Sequence, residues 1–251
     1  MRTIRRACLR VGLILFLILG LLSGGVAGDE RADSDPAGRA LPDWYPYVAA
    51  DILEWAQPEA GVWIDLGAGT GGVALAVASS GNPAAENSTL VLVDPDSRAL
   101  SRALQRGRAR GLGEQLVAVV GVAEQLPHPD NSIDLVFSRG SIYFWTDPVA
   151  GIREIHRVLR PGGKAMIGGG LGESYPEWAR REFIRRRRGN EDPESPRARA
   201  FARLRAPETF RKWAEEAGLT DFEVRGQGAL PADDPATGLG IWLRFTKQES
   251  S

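Results

Sequence analysis

The run Val62-Trp63-Ile64-Asp65-Leu66-Gly67-Ala68-Gly69-Thr70-Gly71-Gly72 constrains this chain more than any other stretch. A short apolar segment ends in an acid and breaks into glycines, and the apolar Val73–Ala78 follows. The pattern predicts strand, tight turn, helix. Glycines at 67, 69 and 71 tolerate positive φ and present no Cβ, so a ligand can approach the backbone. The start of the following helix adds N–H groups and a partial positive charge. A small polar ligand is expected on this turn.

The remaining segments repeat the alternation. Thr89–Asp94, Leu116–Val120, Ile133–Ser138 and Lys164–Ile167 read as strands. Helical spacing runs from a start capped by Asp43 to Gln57, over Ser97–Arg110, and over Pro148–Arg160. Such a βαβ series calls for a parallel sheet with helices on both faces, a doubly wound α/β fold. The last third departs from it. Helices are expected over Tyr175–Arg188 and Pro207–Ala217, with a polar loop Asn190–Arg197 between them. Phe222–Val224 and Ile241–Phe245 are strands with no helix between them, hence an antiparallel element at one sheet edge. Gly81–Ser88 and Gly121–Asn131 read as loops.

Composition removes whole classes of function. The 251 residues carry 31 basic and 32 acidic side chains, a net charge of -1, so no global field draws the chain to nucleic acid. Its only cysteine, Cys8, excludes a disulfide framework and a thiolate metal site, and two histidines leave little for zinc. No metal is expected.

Residues 1–27 form a separate region. Arginines 2, 5, 6 and 10 precede the apolar Val11–Leu22, and Gly25-Val26-Ala27 follows. This is the layout of a secretory signal cleaved after Ala27, or of an uncleaved membrane anchor. Either would place the domain outside the cytoplasm. A mis-assigned start codon would leave it inside. Residues 28–42 read as a linker and 43–251 as the folded domain.

Four motifs in order resemble the class I S-adenosylmethionine (SAM) dependent methyltransferases, over roughly residues 43–246. They are Asp65-Leu66-Gly67-Ala68-Gly69-Thr70-Gly71, and the strand ending at Asp94. The third is Gly121-Val122-Ala123-Glu124-Gln125-Leu126-Pro127 running into Asn131–Val136. The last is Glu154-Ile155-His156-Arg157-Val158-Leu159-Arg160-Pro161-Gly162-Gly163. Together they look most like the small-molecule methyltransferases typified by ubiquinone and menaquinone biosynthesis. The resemblance implies a mostly parallel seven-stranded Rossmann-like sheet with an antiparallel edge strand. It also implies SAM as cofactor and a small-molecule acceptor.

What the resemblance implies can be carried to single residues. Asp65, Gly67, Ala68 and Gly69 would hold the methionine portion, and Asp94 would accept both ribose hydroxyls. Pro95 would lie beside the adenine. Where the family has an acid after the third strand this chain has Val122, so Ala123 and Glu124 are the substitutes for adenine recognition. Ser138 would face the transfer cavity. Arg139, Tyr143 and Trp145, in a polar-then-aromatic string with Ser141 and Phe144, would meet the acceptor.

Two other functions compete. Gly67, Gly69 and Gly72 also satisfy the dinucleotide pattern, but Asp65 would repel a pyrophosphate there. A SAM-binding protein without catalysis is the second rival. His128 and His156 are placed in a loop and on a helix surface, neither as a base. Arg180, Arg181 and Arg185–Arg188 form either a basic lid or a solvated face paired with glutamates.

Overall fold

The computed structural model describes residues 39–188, 195–226 and 240–248. The expected signal or anchor at 1–27, most of the linker and the glycine- and proline-bearing connection at 227–239 lie outside the described residues. Among those described, no helix is long and apolar enough to cross a membrane.

The elements, in chain order, are α1 (Tyr45–Ala56), β1 (Val62–Leu66), α2 (Gly72–Ala78), α3 (Pro83–Glu86), β2 (Thr89–Asp94), α4 (Ser97–Arg108), β3 (Leu116–Val120) and β4 (Ile133–Arg139). A 3-10 turn spans Ile142–Phe144. There follow α5 (Pro148–Val158), β5 (Leu159–Gly169), α6 (Glu177–Arg188), α7 (Pro196–Leu204), α8 (Pro207–Glu216), β6 (Phe222–Gly226) and β7 (Ile241–Thr246). Seven strands form one sheet in the order β3-β2-β1-β4-β5-β7-β6. All pairings are parallel except those of β7, which runs antiparallel between β5 and β6. The doubly wound fold expected from the alternation is the one observed.

The strands are nearly continuous apolar runs because helices cover both faces. One face packs Trp63, Leu90, Leu92, Leu135 and Phe137 against α1, α2 and α4. The other packs Ile64, Val91, Val93, Val136 and Ile167 against α5 and α8. A smaller cluster joins Leu171, Tyr175 and Ala179 to Leu41, Trp44 and Tyr47, fastening α6 to the start of α1. Because β1 pairs with both β2 and β4, the strand order reverses there. That reversal opens a crevice at the carboxyl ends of β1 and β4, the usual ligand position in such sheets.

Several local expectations need correcting. The turn at Pro161-Gly162-Gly163 is a bulge inside β5. Ile133 pairs with Leu159, but Leu135 already pairs with Lys164, and Gly162 takes φ +77° to absorb the extra residues. Helix α1 begins one residue after Trp44, and Asp43 caps from outside, its Oδ1 accepting the Tyr45 N–H at 3.1 Å. The loop at 81–88 contains α3, capped by Asn82, whose Oδ1 accepts from Ala84 and Ala85. Asn-Pro is itself a helix-start signal. Part of the expected loop at 190–197 is the start of α7, again opened by a proline.

Candidate functional site

A cavity of about 400 Å3 lies over the crevice, within the range of about 300–1,000 Å3 common for small-molecule sites. Of the residues singled out from sequence, Gly67, Asp94, Pro95, Ala123, Glu124, Arg139 and Trp145 line it. Leu66, Gly140, Ser141, Phe144 and Thr146 complete much of the wall. Asp65, Ala68, Gly69, Ser138 and Tyr143 are not on it.

The glycine turn is organised by its own hydrogen bonds. Gly67 and Ala68 both donate to the Val93 carbonyl, at 2.7 and 3.1 Å, and Gly71 donates to Ala68. Gly69 donates to Asp94 Oδ2 at 2.8 Å. Four of the turn's N–H groups, those of Gly67, Ala68, Gly69 and Gly71, are therefore spent inside the protein, which speaks against a pyrophosphate ligand beyond what Asp65 does. The sequence expectation of free N–H groups concerned the start of α2, where Asp65 takes that of Ala74. The missing Cβ at Gly67 also has an internal cause. A Cβ there would sit 2.1 Å from Ser141 Cβ, with φ at +73°.

Asp65 is 2 % exposed, and its Oδ2 accepts the Ala74 N–H at 3.0 Å. It thus satisfies a donor in the first turn of α2, whose N-cap Gly71 has no side chain to do so. Burial raises its carboxyl from 3.8 to about 7, the Ala74 hydrogen bond offsets part of that, and the Asp94 charge adds to the rise. A nearby cation would reverse the shift.

Asp94, at the end of β2, accepts from Gly69 on Oδ2 and from Asp96 on Oδ1, the latter at 2.8 Å. A carboxylate offers about four lone-pair sites, so each oxygen keeps capacity for one further donor. Asp96 in turn caps α4. The opposite wall is the loop after β3. Glu124 Oε1 accepts the Asp147 N–H at 3.0 Å, tying this loop to the start of α5. Leu126 N–H donates to Glu154 Oε2, while Arg157 donates to Glu154, Asp130 and the carbonyls of Leu126 and His128. The Glu154 and Arg157 of the fourth sequence motif are therefore the brace that holds Ala123 and Glu124 in place. Arg157 keeps the Glu154 carboxyl below its ordinary value.

At the β4 end one hydroxyl joins three segments. Ser141 Oγ lies 2.6 Å from Ser138 Oγ, 3.0 Å from the Leu66 carbonyl and 3.1 Å from Trp145 Nε1. A carbonyl only accepts and an indole N–H only donates. Ser141 must therefore donate to Leu66, and Ser138 must donate to Ser141. The hydroxyl of Ser138, 1 % exposed, is committed behind the wall, contrary to the expectation that it faces the cavity. Tyr143 is also displaced from its expected place. The 3-10 turn advances each residue by about 120°, sending Ile142 into the core, Tyr143 toward α8 and Phe144 outward. The Tyr143 ring packs edge-on against Phe210 and carries the Arg205 guanidinium at 5.3 Å. Phe144 is 81 % exposed at the cavity mouth, near the half-exposed Val122.

His128 and His156 are both absent from the cavity wall. His156 is half-buried rather than on the surface, 6.4 Å from the Phe245 ring. On α6, Arg180 is buried and donates to the carbonyls of Gly172, Glu173 and Tyr175. Arg181 pairs with Glu177, and Arg185 and Arg186 pair with Glu182. Glutamate pairing describes Arg181, Arg185 and Arg186, whereas the buried Arg180 fits neither sequence reading.

Residues 64–167 match the family model described as a methyltransferase domain. The 2-methyl-6-phytyl-1,4-hydroquinone methyltransferase of Arabidopsis thaliana is 31% identical over 189 residues, covering 74% of this chain and 48% of that protein. Enzyme 1 of the same name from Oryza sativa subsp. japonica is 30% identical over 166 residues, 66% of this chain and 43% of its own length. The chain thus spans less than half the length of these curated relatives. Among solved structures, a putative S-adenosyl-L-methionine-dependent methyltransferase from Methanococcus maripaludis superposes with a TM-score of 0.64 at 28% identity, covering 83% of this chain and 87% of that one.

Proposed function

We propose that this chain, which belongs to the class I SAM-dependent methyltransferases, transfers a methyl group from SAM to a small, largely apolar acceptor. The observation that carries the reading is Asp94: a carboxylate on the cavity wall, pinned by two backbone N–H groups, with one acceptor position left on each oxygen. That donor set suits a vicinal diol such as a ribose. The turn beside it, with four of its N–H groups spent and Asp65 beneath it, suits a cation better than a phosphate. When bound, SAM supplies a methyl group on a sulfonium sulfur, open to in-line displacement by a nucleophilic atom of the acceptor.

The chain's own residues then have separable tasks. Asp94 holds the ribose, and Pro95, Ala123 and Glu124 border the adenine. Asp65 supplies negative potential beneath the turn, where an ammonium group would pull its carboxyl back toward ionisation. Trp145 and Phe144 offer aromatic faces near a positive charge and an apolar surface for the acceptor. Val122 and Phe144, exposed at the mouth, support an acceptor with a lipophilic body, in keeping with the phytyl hydroquinone named for the plant relatives. The N-terminal segment, as signal or anchor, would bring the domain to a membrane.

Calorimetry with S-adenosylhomocysteine tests the reading. The wild type is expected to bind, and Asp94→Ala to bind at least about 100-fold more weakly, equivalent to about 3 kcal/mol for lost charge-assisted hydrogen bonds. No binding by a folded wild type, or an unaffected Asp94→Ala, refutes it. Turnover of labelled SAM against lipid extracts and water-soluble metabolites separates the enzyme from a silent binder. The mass of the mature N-terminus, with cell fractionation, decides the role of residues 1–27.

A further inference from the structure

The two ends of the cavity carry opposite charge. Asp94 and Glu124 line the end beside β2 and β3, and Arg139 is the only charged residue lining the β4 end. Arg139 Nε donates to the Gly170 carbonyl at 3.0 Å. Its guanidinium lies 5.2 Å from the Trp44 ring centre and 5.9 Å from that of Tyr45, under the start of α1. Among the described residues no carboxylate comes within ion-pair distance of it. Asp43, whose charge it feels, is exposed and bonded to the Tyr45 N–H.

Such an arrangement is unusual for a largely desolvated cation, because buried charges are normally paired. Burial lowers the Arg139 pKa from its ordinary value. The Trp44 indole beside it cannot serve as the partner, since its buried Nε1 is itself a donor with no acceptor among the described residues. The guanidinium on the cavity wall, with only its Nε bonded, awaits an anionic acceptor, and four N–H groups of the glycine turn are already spent.

We propose that Arg139 forms a docking point for an anionic oxygen, a carboxylate or phenolate, at the β4 end of the cavity. The inference rests on the methyl-transfer reading, in which that oxygen belongs to the acceptor, a molecule combining an apolar body against Phe144 and Trp145 with an anionic head. Tyr45 extends the same corner toward the glycine turn, its ring standing where a Cβ on Gly72 would be.

Arg139→Gln removes the charge and keeps a donor for Gly170. Trp44→Phe removes only the indole N–H and keeps an aromatic ring against Phe183. Each is compared with wild type on the full chain, after thermal melts establish folding. One arm titrates S-adenosylhomocysteine and 5′-methylthioadenosine, which shares the nucleoside but lacks the amino-acid end. The other titrates 4-hydroxybenzoate and 4-hydroxybenzamide by ligand-observed NMR, with and without S-adenosylhomocysteine.

If Arg139→Gln weakens S-adenosylhomocysteine at least tenfold and leaves 5′-methylthioadenosine unchanged, the cofactor supplies the anion and the proposal falls. If the acceptor supplies it, S-adenosylhomocysteine is unchanged and the benzoate loses a preference of fivefold or more over the benzamide. Trp44→Phe, which keeps a ring beside Arg139, is expected to leave that preference within twofold of wild type. Affinities and preference all within twofold of wild type in Arg139→Gln overturn the proposal. Failure of the wild type to bind either nucleoside sinks the methyl-transfer reading instead, and the benzoate preference measured without nucleoside then decides Arg139 alone.

Discussion

The two ends of the cavity are built by different means. At the β2 and β3 end, each candidate carboxylate is bonded to backbone N–H groups. Asp94 holds those of Gly69 and Asp96, and Glu124 holds that of Asp147, over spans of 25, 2 and 23 residues. Contacts within neighbouring strand–helix units therefore determine where these carboxylates stand. At the β4 end the wall depends on contacts between distant segments. Ser141 reaches back 75 residues to Leu66, and Arg139 reaches Trp44 at the start of α1 and Gly170 beyond β5. The first end suits a ligand part that never varies, whereas the second can be altered by changing α1, α6 or the aromatic turn. The proposed transferase, with a fixed donor and a variable acceptor, would use that division.

Gly67 is where the two ends touch, and changing it should have the largest effect. Gly67→Ala places a Cβ against Ser141 at positive φ, so a loss of about 3–5 kcal/mol in stability is expected by urea denaturation. Adding Ser141→Gly should restore the steric part and leave about 1–2 kcal/mol of backbone strain. A Gly67→Ala protein as stable as wild type would show that the ends are not wedged together there.

The next effect is electrostatic and belongs to the β2 and β3 end. Folding raises the Asp65 carboxyl from 3.8 to about 7. Between these values the folded state holds a proton that the unfolded state has lost, so stability falls as pH rises through this window. The full penalty, up to about 4 kcal/mol, is present above pH 7. Asp65→Asn keeps an acceptor for the Ala74 N–H and has nothing to titrate. Denaturation at pH 5 and pH 8 should therefore show a variant less sensitive to pH and more stable than wild type at pH 8. Asp51, raised to about 6 chiefly by burial, leaves a smaller slope of the same sign. S-adenosylhomocysteine should nonetheless bind the variant more weakly, and an unchanged affinity would confine Asp65 to capping α2.

Ser141→Ala tests the β4 end. It strands the Leu66 carbonyl, the Trp145 indole and the Ser138 hydroxyl, so a stability loss of about 2 kcal/mol and a shift in tryptophan emission are expected. Thr at 141 should recover most of the emission signature. The smallest effect is assigned to Arg157→Lys, which removes the bonds to the Leu126 and His128 carbonyls. A loss of about 1 kcal/mol in stability is expected, with S-adenosylhomocysteine weakened a few-fold and acceptor-side probes unaffected. Equal effects on both ligand classes would contradict a separation of the two ends.

Much of this was readable before any coordinates. Strand and helix periodicity specified the doubly wound sheet, because sheets with both faces covered need continuous apolar strands. Asp65, the glycines and Asp94 stood out because unusual backbone demands at a strand end leave a residue-level trace. Less visible were the positions set by rotation and pairing. Tyr143 could not be distinguished from Trp145 by spacing, since a single 3-10 turn sends one to α8 and the other to the cavity. Ser138 and Ser141 look interchangeable in the sequence, and only the hydrogen-bond network places Ser141 on the wall.

The linear sequence by itself determined the architecture and marked the candidate residues Asp65, Gly67 and Asp94 at strand ends. These depend on periodicity and turn chemistry. Only the tertiary structure decided that the glycine turn spends four of its N–H groups internally, that Glu154 and Arg157 brace a loop, and that Arg139 stands beneath Trp44 without an ion-pair partner among the described residues. Each of those depends on which distant segments the sheet order brings together, and a contact across 75 or 95 residues leaves no periodic mark in the chain.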